Sequence, residues 1–201
     1  MKTCEYSGEP FPSARSHPWT DAVTSSDFRY YDLRSSPALI RSSLEDFVPW
    51  SRFAAIDRFY GLLEWLNGPA SLLESNDCAF TAPHPNENPQ FPRRLECSGR
   101  VMILFRELAC NLLPQALPGL TMALHNALAP ADPSFELGVI GTTLVPVRYV
   151  TLPGPPNAQL GSQLMVSFWA WGSDEAEIMA NLDRLVRNLS QALRDVACDD
   201  A

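Results

Sequence analysis

"SQLMVSFWAWGSDEAEIMANLDRLVRNLSQALRDVA" occupies residues 162–197 and reads as a strand followed by a long helix. Along its first part, Leu164, Val166 and Phe168 fall on one side of a two-residue alternation. Met165, Trp169 and Trp171 fall on the other. A strand that is apolar on both sides sits centrally in a sheet, either covered on both faces or presenting aromatics on its outer face. Asp174 then stands where a helix cap is needed, with Glu177 placed to reach back in the reciprocal manner of a capping box. Ile178, Leu182, Leu185, Leu189, Leu193 and Val196 mark one apolar stripe over about five turns. Arg194 lies close enough to the end to complement the helix dipole. A helix docked on a sheet is therefore expected at the centre of the fold.

Working back from this pair, "FELGVIGTT" (135–143) and "LVPVRYVTL" (144–152) read as two strands, and the turn-rich "PGPPNAQLG" connects them to the strand at 162. The connections between residues 142 and 160 are too short for helical crossovers, so antiparallel pairing is expected there. "PQALPGLTMALHNALA" (114–129) has helical spacing at Leu117, Leu120, Leu124 and Leu128 and is closed by Pro130. "RRLECSGRVMILFREL" (93–108) reads as a strand with a bulge at Gly99. In "LLESNDCAFTAPHPNENPQFP" (72–92), the four prolines Pro83, Pro85, Pro89 and Pro92 argue against regular strand pairing, leaving a loop after a strand end near Cys78.

Earlier in the chain, Phe53, Ile56, Phe59, Leu63 and Leu66 recur at helical intervals. Asn67-Gly68-Pro69 stops that helix, with a left-handed glycine expected at its end. A second helix is expected over 36–48, with Ser36 as cap, Pro37 in the first turn and Pro49 at the end. "FRYYDLR" (28–34) has the aromatic content of a short strand. Residues 1–26, without sustained period, read as an N-terminal arm or tail held down by Phe11 and Trp19, and residues 27–201 as a single domain. The expected class is α+β, with a mostly antiparallel sheet of about five or six strands and three or four helices.

With 201 residues and 46% apolar content, the chain can bury a substantial core in one domain. Its net charge of −8 argues against direct nucleic-acid binding, which needs concentrated basic residues to displace counterions. An acidic surface instead favours a basic partner. Lys2 is the only lysine among fifteen basic residues, the rest being arginines. The five cysteines are scattered and form no CxxC pair, so neither a disulfide framework nor a structural zinc site is indicated. No apolar run reaches membrane-spanning length and the N-terminus lacks a secretory apolar region, which points to the cytoplasm.

Asp77, Cys78 and His84 supply the residue types of a thiol nucleophile and its base, but at a local spacing unlike sites assembled from distant segments. The competing reading is a structural thiol beside a loop histidine. His17, His84 and His125 form no ligand pair, so no metal site is expected, and His125 reads as a structural helix residue. Phosphate-binding glycine loops and a GxSxG elbow are absent, so no cofactor and no catalytic residue is assigned. What remains is surface. Glu74, Asp77, Glu87, Asp174, Glu175 and Glu177 are candidates for a negative face that docks a basic partner, with Trp50, Trp65, Trp169 or Trp171 as anchors. The competing reading for each acid is capping or solubility.

The segments "LLEWLNGPASLLESNDCAF" (62–80), "GTTLVPVRYVTLPGPP" (141–156), "LMVSFWAWG" (164–172) and "NLDRLVRNLSQAL" (181–193) resemble proteobacterial immunity proteins of contact-dependent inhibition and related polymorphic toxin systems. The likeness runs over about residues 28–197 and carries no catalytic pattern. It implies a small cytoplasmic protein that binds one cognate toxin domain and neutralises it. An enzyme using the Cys78/His84 loop, or a structural or regulatory subunit, are the alternatives, and the oligomeric state stays open.

Overall fold

The computed structural model describes residues 1–5, 15–18, 32–42 and 44–198. Phe11, Trp19 and residues 28–31 therefore lie outside the described residues. Two pieces of the segment read as an arm are strands, β1 (Lys2–Glu5) and β2 (Arg15–His17). The chain continues through α1 (Leu39–Ser42), α2 (Ala54–Asn67), β3 (Leu73–Pro85), β4 (Leu95–Phe105), α3 (Ala116–Ala131), β5 (Gly138–Tyr149), β6 (Leu160–Gly172) and α4 (Glu175–Cys198). These strands make one sheet in the order β1-β5-β6-β4-β3, and β2 also pairs with β5. Pairing is antiparallel throughout β3–β4–β6–β5, while β1 and β2 run parallel to β5. The molecule is thus an α+β fold with a mostly antiparallel sheet and a long C-terminal helix.

One face of the sheet carries the helices. Leu164, Val166, Phe168 and Ala170 of β6 join Val101 and Ile103 of β4 and Ile140 of β5 in a core with residues of α2, α3 and α4. The α4 stripe faces the core: Ile178, Leu182, Leu185, Leu189 and Leu193 are buried, and Val196 is partly buried against them. Each such side chain contributes about 1.5–3 kcal/mol on leaving water. Helix α4 packs along β6 and against both α2 and α3. On the opposite face, Leu104, Val147 and Tyr149 are covered by Leu108 and Leu112 of a short 3-10 turn and by Leu152. Asn111 fastens that turn by accepting from the Phe105 amide at 2.9 Å and donating to the Phe105 carbonyl at 2.9 Å.

Several local expectations are corrected. The two strands expected over 135–152 are a single strand, β5, whose Pro146 falls between the stretches paired to β1 and to β2. A proline there breaks no ladder. β3 runs on through Pro83 to Pro85 because it is an edge strand with a register irregularity between Thr81 and His84. No bulge occurs at Gly99, which keeps register with both Phe80 and Phe168. A Cβ at that position would lie 2.4 Å from the Phe168 ring and 2.6 Å from the Ala79 carbonyl, so the glycine makes room for the ring.

Gly68 is extended rather than left-handed, at φ −79°. The last carbonyls of α2 are satisfied differently, with Arg106 donating to the Leu66 and Gly68 carbonyls at 3.3 and 2.6 Å. The helix expected over 36–48 shrinks to the single turn of α1. There the Ser42 hydroxyl bonds back to the Ala38 carbonyl, an alternative that competes with helix continuation. Phe47 then packs between Phe59 and Phe80, at ring distances of 4.9 and 5.2 Å. Of the strand expected at 28–34, Leu33 and Arg34 lie in a turn in which the Ser35 amide donates to Asp32.

Candidate functional site

At one end of the sheet, β3 stops, β4 starts and β6 hands over to α4. The loop between β3 and β4, residues 86–94, is organised by one side chain. Asn86 donates to the carbonyls of Asn88, Phe91 and Arg93 and accepts from the Asn88 amide at 2.8 Å. Asn88 in turn accepts from the Gln90 amide at 3.0 Å. These side-chain-closed turns aim Phe91 inward, where it stacks on Trp171 with ring centroids 3.6 Å apart and planes only 3° from parallel. The Trp171 indole N–H donates to Glu96 Oε2 at 2.8 Å.

His84, Glu87, Phe91, Glu96, Trp169 and Trp171 line an open cleft of about 600 Å³ on the face of the sheet away from the helices. Trp171 is almost fully buried, whereas Trp169 is half-buried and offers ring surface. Lys2 Nζ lies 5.6 Å from the Phe91 centroid. Trp171 already covers one face of that ring, so the ammonium lies over the other. The cleft joins the two features needed for a cationic partner, aromatic surface and carboxylate oxygens.

The six acidic candidates go to two places. Glu87 lines the cleft, and the start of α4 lies close by, since Ser173 shares a second depression with Glu87 and Phe91. Asp174 Oδ1 accepts from the Glu177 amide at 2.9 Å and Glu177 Oε2 from the Ser173 amide at 2.7 Å, a variant of the expected capping box in which Glu177 reaches one residue beyond Asp174. The Ser173 hydrogen bonds, with Arg93 adding to them, hold the Glu177 carboxyl below its ordinary range. Glu175 pairs with Arg52 at 2.6 Å. Glu74 and Asp77 lie instead on β3, enclosed and ion-paired. Glu74 meets Arg34 at 3.5 Å and Asp77 meets Arg100 at 3.5 Å.

Burial pushes the carboxyls of Glu74 and Asp77 above their ordinary range, against the opposing pull of Arg34 and Arg106 on the first and of Arg100 and Arg15 on the second. For Asp77 this has a stability consequence. Between the unfolded pKa, near 4, and the raised folded value, the native state binds more proton than the unfolded chain. Stability therefore falls as pH rises through that interval. Replacing Asp77 with Asn should flatten this slope in denaturant unfolding followed from about pH 4 upward, leaving the part due to Glu74. An unchanged slope would contradict the assignment.

The Cys78/His84 pair is not brought together. Cys78 packs on the helix side of β3 against the main core, while His84 faces the cleft and shares a hydrogen bond with the Ala82 carbonyl at 3.0 Å. Burial, with the Asp77 charge adding to it, pushes the Cys78 thiol far above its ordinary range. Alkylation of Cys78 near neutral pH, mapped by mass spectrometry, should trail that of the exposed Cys4. Faster labelling of Cys78 would reopen thiol chemistry. His125 is a structural residue, its Nε2 lying 2.9 Å from the Thr142 hydroxyl. Among the described residues no group of acidic, histidine or cysteine side chains is arranged to hold a metal. No helix among them is long and apolar enough to cross a membrane.

Sequence reasoning reached Glu87, Trp169 and Trp171 but not Glu96 or Phe91 as part of one site. The signal for Phe91 was the Asn-x-Asn at 86–88 ahead of an aromatic set between prolines, a pattern of side-chain-closed turns. No protein-family model, curated protein or solved structure matches the chain.

Proposed function

We propose that the chain is a binding protein for a basic protein partner, and specifically a cytoplasmic immunity factor that occupies and neutralises a cognate toxin domain. The observation that carries this reading is the cleft: ring surface of Trp169 and carboxylates of Glu87 and Glu96, presented on a rigid sheet end. Recognition surfaces gain most from aromatic anchors in water-excluding pockets, and charge around them selects and steers the partner. The separation of Cys78 from His84 removes the one thiol–base pair suggested by the sequence. Toxin domains that cut nucleic acid carry the basic surface their substrate demands, and an overall charge of −8 complements it.

The test is co-expression with the variable C-terminal domains of exported proteins encoded beside this chain. A stoichiometric complex and restored growth of toxin-expressing cells are the expected outcome. Growth arrest unaffected by the chain, with no complex recovered, would overturn the reading.

A further inference from the structure

We infer that the cleft is an arginine receptor: it takes one guanidinium side chain of a protein partner, stacked on Trp169 and held by Glu96 and Glu87. This rests on reading the chain as a receptor for a basic protein. Three of the chain's own arginines show the arrangement that the cleft leaves incomplete, while a fourth, Arg194, lies over Trp65 at 4.8 Å with Ser190 as its hydrogen-bond partner. Arg41 lies over the Tyr60 ring at 5.2 Å and bonds Asp57 and Glu64 at 2.8 and 2.7 Å. Arg52 lies over Phe53 at 4.7 Å and bonds Glu175 at 2.6 Å. Arg184 lies over Phe135 at 4.7 Å and its Nη2 bonds Asp132 at 2.7 Å. Each is a trio of ring, guanidinium and carboxylate.

In the cleft the ring and the carboxylates are in place, and the described residues lining it include no arginine or lysine. Trp171 holds only Oε2 of Glu96, and among the described residues Glu96 Oε1 and the Glu87 carboxylate take no hydrogen bond. Lys2, whose Nζ lies 5.6 Å from the Phe91 centroid, is not among the residues lining the cleft. A guanidinium fits this set better than an ammonium because its flat, weakly hydrated plane stacks on an indole while its fork reaches carboxylate oxygens. About 600 Å³ leaves room for the side chain together with the backbone that delivers it.

The experiment follows the indole N–H signals of Trp169 and Trp171 by NMR while N-acetyl-arginine amide is titrated into the full chain. Parallel titrations use the lysine and citrulline analogues. Saturable shifts at Trp169 with arginine are expected, weaker binding with lysine and none with the uncharged citrulline. Glu96→Gln should weaken arginine binding by about tenfold, the difference between a charge-assisted and a neutral hydrogen bond. An unchanged melting temperature checks that the amide oxygen still serves Trp171. Glu87→Gln, at an exposed loop position, gives a second readout that does not touch the sheet. Absence of saturable shifts, equal shifts with citrulline, or no weakening in either variant would each overturn the inference. No toxin is needed here. Protection of cells without arginine binding would keep the immunity reading and remove the guanidinium, and arginine binding without protection would do the reverse.

Discussion

Phe168→Ala lowers the unfolding free energy by about 3–5 kcal/mol, as expected for a buried phenylalanine truncated where its surroundings cannot collapse. Its ring is 1% exposed and lies between two constraints. Phe59 of α2 meets it at 5.6 Å in a tilted contact, and Gly99 of β4 has given up its side chain to admit it. The neighbouring strand is locked in register on both sides of this position, so the backbone cannot move in to fill the space. Such a loss is a large share of the 5–15 kcal/mol that holds a typical domain together. Met122→Ala, at a position 65% exposed on α3, serves as control and should change stability by less than about 0.5 kcal/mol. Denaturant unfolding of both variants decides the matter. A loss below about 1 kcal/mol for Phe168→Ala would show that the helices do not bear on the sheet through this ring.

The second large effect concerns the partner. Charge complementarity raises association rates by about ten- to a thousand-fold at low salt, and screening removes that gain once the Debye length falls to a few ångströms. Raising salt from about 50 to 500 mM should therefore slow association with the cognate domain by tenfold or more, while dissociation changes by less than about threefold. On the proposed binding mode, the short-range stacking on Trp169 and the pairs to Glu87 and Glu96 would set the dissociation rate, which depends less on long-range charge. Stopped-flow mixing at several salt concentrations separates the two rates. A salt-independent association rate would remove electrostatic steering from the mechanism.

The elements that were legible in the sequence are those specified by local pattern. Helix α4 carries its own capping box and an unbroken apolar stripe, and β6 carries its alternation, so both could be read without knowing their neighbours. The misreadings share a cause: residues whose meaning depends on a distant strand. A glycine within a strand signals either a bulge or a visitor, and only Phe168 across the sheet decides which holds at Gly99. The region 135–152 reads locally as two strands divided after Thr143, because its unbroken course is set by pairing with β6 from Gly138 to Arg148. The prolines of β3 are tolerated because no strand among the described residues lies beyond it, which is a property of the topology.

The same limit applies to the site. A linear scan sees Glu74 and Asp77 as surface acids, yet Arg34 and Arg100 meet them only in the folded chain. Trp169 and Trp171 could be picked out as anchors by type alone. Their company, Phe91 and Glu96, comes from the other side of α3 and β5 in the chain and is assembled by the order of strands.

Backbone hydrogen exchange of the chain, free and saturated with its cognate domain, tests most directly where that partner sits. Amides of residues 84–96 and of the turn from β6 into α4 should slow on complex formation, with the outer surface of α3 unchanged. Slowing confined to α3, or to the helical face of the molecule, would contradict a partner seated in the cleft between Trp169, Glu87 and Glu96.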